Sequence, residues 1–366
     1  MKIQTSTLVT GVCLIFLASL LPAASVAAAT VTSSQLSLKG TVAVGPDPGV
    51  AAFNPVNGLV YVTDRGSNKV SLLTSGSAPK LVATLSTGNA PYGVTPTGPS
   101  CDNVVAVSNS GSGSVTLYNS AAPYKLVATI NIPSVVSTSS VSVPRGLTFA
   151  DGYLFVADGA GQIDVINCMN RTYVGSAALT PISSLVTAFY DARHQIIYFS
   201  DQGYGAAEYF DQSGNEPSCE IPHVCLIEDV GGNYTDAPAF FAQSSNGTVF
   251  YTDSTANTVR EITLVDNVPV IAAQQFGNYY SHEFFAPTGI TFDPQNQELL
   301  VANTGGHYEL TALCINKVSS FCKSAGVGGY QQLLDDTSHG FGVTFDPMNG
   351  YIYVTNQNSG SVSYLN

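Results

Sequence analysis

Basic residues are what this sequence most lacks. Twelve lysines and arginines stand against 25 carboxylates, for a formal net charge of −13 over 366 residues. A surface that tracks phosphates needs rows of cations, so nucleic acid is excluded as a partner. Charge of either sign is scarce, at 10% of residues, whereas hydrophobic residues make up 45%. The surface must then be polar through Ser, Thr, Asn and Gly, around a core large enough for two ordinary domains or one closed architecture. Familiar catalytic signatures are missing too: no G-x-S-x-G elbow, no H-E-x-x-H, no C-x-x-C-H and no EF-hand loop. GAGQ at 159–162 precedes no helical pattern, so it reads as a turn and not as a phosphate cradle.

Long apolar runs are confined to the first 29 residues. Lys2 gives a positive start, LVTGVCLIFLASLL at 8–21 is apolar, and Ser25-Val26-Ala27 and Ala27-Ala28-Ala29 both fit a cleavage rule. Residues 1–29 are therefore expected to be a signal peptide, with retention as an N-terminal anchor the alternative. No later segment reaches transmembrane length. The mature chain is expected outside the cytoplasm: secreted, periplasmic or at the cell surface. Six cysteines remain after the leader (Cys101, Cys168, Cys219, Cys225, Cys314 and Cys322), an even count that reads as disulfides in an exported chain. Their spacings, without flanking histidines, do not suit zinc. Sequons stand at Asn170, Asn233 and Asn246.

What the chain has in abundance is self-similarity. GVAAFNPVNGLVYVTD from Gly49 and GVTFDPMNGYIYVTN from Gly342 are nearly one phrase, and five looser copies lie between them. Each copy ends in an acid or amide: Asp64, Asn109, Asp158, Asp201, Asp253, Asn303 and Asn356, spaced by 43–53 residues. Within a copy, a short apolar segment meets a turn rich in Asn, Pro and Gly, followed by a Tyr/Val/Phe/Ile run. A polar turn and an alternating strand come next, and in the full units a fourth run such as KLVATLSTG at 80–88. No amphipathic helix is evident. Four strands at a period near fifty predict an all-β, seven-bladed β-propeller, a single domain over 30–366. The seventh copy lacks its fourth run, and LSLKGTVAVG at 36–45 supplies one. Residues 30–45 are expected to complete the last blade and close the ring.

VYVTD and IYVTN, with a Gly-Val strand before and an S-N-x-V-S strand after, resemble the YVTN repeat family, related to NHL-type propellers and known from surface-layer proteins. The resemblance implies architecture far more than function, because propellers host many unrelated activities.

In a propeller of this kind Cys101 and Cys168 fall at the bottom face of adjacent blades, and a bridge between them is expected. Cys219 with Cys225, and Cys314 with Cys322, would each staple a bottom hairpin. The top face, built from the loops entering the innermost strands, is left for ligands. It carries Asp47, Tyr92, Arg145, Asp236, His282, Glu283, Asp335, Asp336 and His339. His282, Glu283 and His339 lie in neighbouring blades, where two imidazoles and a carboxylate could hold a divalent metal or form an acid–base pair. Otherwise no cofactor is expected. Arg145 is positioned to clamp an anion or to pair with Asp47 or Asp236. The plainer alternative is that these side chains satisfy backbone groups, as the seven terminal Asp and Asn residues are expected to do by bonding their own turns. The leading expectation is a monomeric, non-catalytic module that binds a protein, glycan or cell-surface component. A metal-dependent, lactonase-like hydrolase or lyase and a structural surface-layer component are the alternatives.

Overall fold

The computed structural model describes residues 36–135, 141–179, 182–211, 228–232, 236–277, 283–306, 309–334 and 339–366. The leader, Cys219, Cys225, Asn233, His282, Asp335 and Asp336 lie outside them, and so do the expectations attached to those residues. The described chain forms seven four-stranded antiparallel sheets. Blade 1 runs through Pro48–Asn54, Leu59–Asp64, Lys69–Thr74 and Leu81–Ser86 from the axis outward. The innermost strands of blades 2 to 7 are Pro91–Pro96, Pro144–Ala150, Leu185–Asp191, Pro238–Gln243, Pro287–Asp293 and Gly340–Phe345. Each packs beside the innermost strands of its two neighbours, and that of blade 7 beside that of blade 1, so the ring is closed. Among the described residues no helix is long and apolar enough to cross a membrane.

Both faces of a middle strand are covered, which is why its sequence is continuously apolar. Every residue of Leu59–Asp64 is buried. Leu59 and Tyr61 point toward blade 2, packing with Val94, Val105 and Tyr118. Val60 and Val62 point the other way, against Tyr353 and Val362 of blade 7. The same alternation is repeated around the ring, so the core consists of seven seams between blades and has no single centre. A large side chain buried in a seam contributes about 1.5–3 kcal/mol.

A bulge shapes the start of every innermost strand. Register slips between its first and fourth residues in all seven blades, from Pro48/Ala51 to Gly340/Val343. The glycine that recurs there is required by crowding. A Cβ on Gly146 would lie 2.4 Å from Thr187 Cα, and one on Gly289 would lie 2.5 Å from the Phe341 carbonyl oxygen.

Blade 7 comprises Gly340–Phe345, Ile352–Asn356 and Ser361–Leu365, and its outer strand is Leu38–Ala43, paired antiparallel from Leu38 opposite Leu365 to Ala43 opposite Ser361. The expected closure by the N-terminal strand is present. Cys101–Cys168 joins blades 2 and 3 with Cα atoms 5.3 Å apart, and Cys314–Cys322 closes the expected hairpin at 5.4 Å. That hairpin also holds a helix the sequence reading missed, Ser320–Ala325, capped by the Ser319 hydroxyl accepting from Cys322 N–H at 3.0 Å.

Candidate functional site

The end of the ring where the chain enters its innermost strands is the top face, and its fittings start with one repeated hydroxyl. The Thr of the VYVTD phrase, Thr63, accepts a bond from its own blade's bulge at Val50 N–H (3.0 Å) and donates to the Tyr92 carbonyl of blade 2 (2.9 Å). Ser200 does the same between blades 4 and 5, Thr252 between 5 and 6, and Thr355 between 7 and 1. Ser108 links blades 2 and 3 through Gly93 N–H and the Arg145 carbonyl. Blades 3 and 6 carry Ala157 and Ala302 at this position. In each, the second residue of the innermost strand replaces the missing bridge. Thr288 donates to the Phe341 carbonyl at 2.9 Å, and Arg145 Nη1 donates to the Leu185 carbonyl at 3.2 Å and the Ser184 hydroxyl at 3.3 Å.

Arg145 therefore pairs with neither Asp47 nor Asp236, contrary to one of the two roles expected for it. Asp47 binds Arg65 Nη2 at 2.7 Å. Asp236 is buried, and both it and Asp253 accept from Arg260 Nη2 at 3.0 Å. Arg65 and Arg260 were not singled out in the sequence. Arg65 directly follows Asp64, the first recurring acid, and that adjacency was the available signal.

Above the axis the Arg65 guanidinium lies 4.7 Å from the Phe341 ring centre and 5.7 Å from that of Tyr92. Phe341 meets Tyr92 edge-on at 6.1 Å and Phe240 at 5.8 Å. These rings come from blades 2, 5 and 7, so the contacts join blades that are not neighbours in the ring. Burial pushes the Tyr92 phenol up, against the pull of Arg145 and Arg65, and it stays neutral at physiological pH.

The own-turn bond expected of the recurring acids and amides is made by the Asp158, Asp201 and Asp253 side chains. Those of Asp64, Asn109 and Asn303 bond the entering loop instead, and that of Asn356 bonds the Ser361 and Ser363 hydroxyls. Asp201 Oδ1 accepts from Gly203 and Tyr204 N–H in its own turn, and from Ser184 N–H of the loop entering its own blade. Asp64, Asn109, Asp158, Asp253 and Asn303 hold their entering loops in the same way.

Of the expected His282, Glu283 and His339 cluster, two members are described. The Glu283 carbonyl accepts from the Thr311 hydroxyl at 3.1 Å, and His339, with φ at +59°, has its carbonyl bonded by Gln357 N–H. Among the described residues the one grouping of three metal-ligating side chains is Glu298, Cys314 and Cys322. Both sulfurs there belong to the disulfide, so the grouping does not fit a thiolate-bound metal. His194, in the turn that follows the innermost strand of blade 4, bonds buried Asp191 Oδ2 at 2.6 Å. Asn296 makes the same three-residue contact to Asp293 in blade 6, which marks a turn device.

No protein-family model matches this sequence, and no curated protein does. Solved structures match the fold. A streptogramin B lyase is 13% identical with a TM-score of 0.69, covering 90% of this chain and 97% of its own. Virginiamycin B lyase from Staphylococcus aureus is 12% identical with a TM-score of 0.67, covering 90% and 99%. Kuenenia stuttgartiensis hydrazine synthase is 14% identical with a TM-score of 0.69, covering 87% and 95%. Identities this low establish the seven-bladed propeller and nothing about activity.

Proposed function

We propose that this chain is an exported propeller of the YVTN kind whose top face binds a protein or glycan component of a cell surface, without catalysis. One observation carries the reading: Asp47, Tyr92, Arg145 and Asp236, four of the described candidates of that face, are engaged with the ring itself. Arg145 bridges blades 3 and 4, Asp236 neutralises Arg260, and Asp47 holds Arg65 over Tyr92 and Phe341. A general acid or base must reach a substrate proton, and these groups already face protein partners. What they present instead is a preformed arginine–aromatic platform, the composition favoured at the centre of binding surfaces. The two disulfides among the described residues suit an oxidising, extracellular setting.

The competing reading is a metal-dependent hydrolase or lyase using His282, Glu283 and His339, and two of the matched folds are lyases by name. Metal analysis of protein purified without chelator separates the two. Substoichiometric metal, no cleavage of a streptogramin B or lactone substrate, and cell-surface binding weakened by Arg65→Ala are expected. One tightly held metal per chain, lost in the His282→Ala/His339→Ala double variant, would overturn the proposal.

A further inference from the structure

At the opposite face, a pocket of about 200 Å3 lies between blades 5 and 6 beside the turn 244–248. Ser245 and Asn246 line it from the turn, Glu261 and Gln274 from the third and outer strands of blade 5, and Gln297 and Asn316 from blade 6. Phe250 and Phe276 form an apolar floor and are themselves buried. The turn is braced on both sides. Arg193 of blade 4 donates to the Asn246 carbonyl, and the Ser245 hydroxyl donates to Gln297 Oε1 at 2.7 Å. Asn246 Oδ1 is fixed in turn by the Ser244 hydroxyl and by Thr248 N–H at 3.1 Å. Walls held this way exist before any ligand arrives, which lowers the ordering cost of binding.

The lining decides the ligand class by elimination. It contains no lysine or arginine, so an anion has no counter-charge. Glu261 is its sole carboxylate, too few hard oxygens for a divalent cation. Most of the walls hydrogen-bond through neutral amides and hydroxyls, which disfavours an apolar ligand. The volume is below the roughly 300–1,000 Å3 of drug-sized clefts and suits one ring. The amide oxygens of Asn246, Gln297 and Asn316 are already taken by Thr248 N–H, the Ser245 hydroxyl and Val318 N–H. That leaves the Gln274 amide to offer a donor and an acceptor side by side, and the Glu261 carboxylate to accept from two adjacent hydroxyls.

We propose that this pocket is a sugar subsite taking one neutral pyranose, free or as the terminal unit of a longer glycan. The subsite does not depend on the top-face reading, since it shares no residue with that face.

Titration of the mature protein with D-glucose and with N-acetyl-D-glucosamine, followed by NMR at millimolar concentrations, tests the free sugar. Immobilised oligosaccharides ending in the same units test the terminal one. Saturable binding is expected to weaken at least about tenfold in the Glu261→Ala/Gln274→Ala variant, whose melting temperature checks the fold, and to survive Arg65→Ala. Binding of the immobilised glycans alone identifies the terminal unit as the ligand. Failure of every probe to saturate would overturn the subsite, as would equal affinity in the double variant.

Discussion

Thr355 stands one residue before the amide that ends the second strand of blade 7, and its hydroxyl serves two blades at once. It accepts from Gly342 N–H at 2.8 Å and donates to the Gly49 carbonyl at 2.7 Å, both buried. Thr355→Val keeps the shape and leaves both backbone groups unpaired, so a loss of about 1–3 kcal/mol in urea unfolding is expected. Arg145→Met removes the guanidinium that takes over this task between blades 3 and 4, and a loss of similar size should follow. Were Arg145 a ligand clamp alone, its removal would leave stability untouched. Gly146→Ala tests the crowding at the same seam. A methyl group 2.4 Å from Thr187 Cα forces the two innermost strands apart, at about 1–3 kcal/mol or more.

Among elements, the contact between the second and third strands carries most of the variation from blade to blade. The residue ending the second strand meets a hydroxyl on the third in blades 1, 2, 6 and 7: Ser71, Thr116, Thr311 and Ser363. Blade 5 offers Arg260 there, and blade 3 offers a second carboxyl, Asp164. Burial and the neighbouring Asp158 push Asp164 well up, so the folded blade keeps a proton that the unfolded chain releases. Asp64 is raised to about 6, chiefly by burial. For both groups the folded state binds more protons, so stability falls as pH rises from the ordinary carboxylate range near 3.8 through the folded value. Asp64→Asn, an exchange already made by nature in blades 2, 6 and 7, should remove about 2–3 kcal/mol of that slope between pH 4 and 6. Thermal melts across that range check it, and an unchanged slope would count against the buried-carboxyl account. The strands themselves were legible in the sequence, because burial on both faces leaves a continuous apolar run. The partners of Arg65, Arg145 and Asp236 were not, since each lies in another strand or another blade. The Leu185 carbonyl that Arg145 binds is forty residues further on and has no side-chain signature. The helix Ser320–Ala325 escaped for a different reason: at six residues it is too short to show a periodic face.

For the molecule as a whole, the seam at blade 7 decides whether the ring stays shut. Deleting residues 36–45 strips Leu38–Ala43 from Ser361–Leu365 and takes Val42 and Val44 away from the seam where Tyr353 and Val362 meet blade 1. The melting temperature should drop well beyond the effect of trimming a frayed end, and an unchanged value would show that the ring is stable with three strands in its last blade. The repeated phrase made the ring, its blade count and its closure legible. It did not reveal the top-face contacts that join non-neighbouring blades, because no local pattern ties Tyr92 to Phe341 or Phe341 to Phe240. The pairing of Leu38–Ala43 with Ser361–Leu365 also sets a schedule. The first strand of the fold to leave the ribosome waits for the last, roughly 15–60 s at ordinary elongation rates. During that interval six blades can assemble while an unpaired β-edge stays open at each end of the arc, so this chain is most exposed to mispairing with other chains just before Ser361–Leu365 emerges.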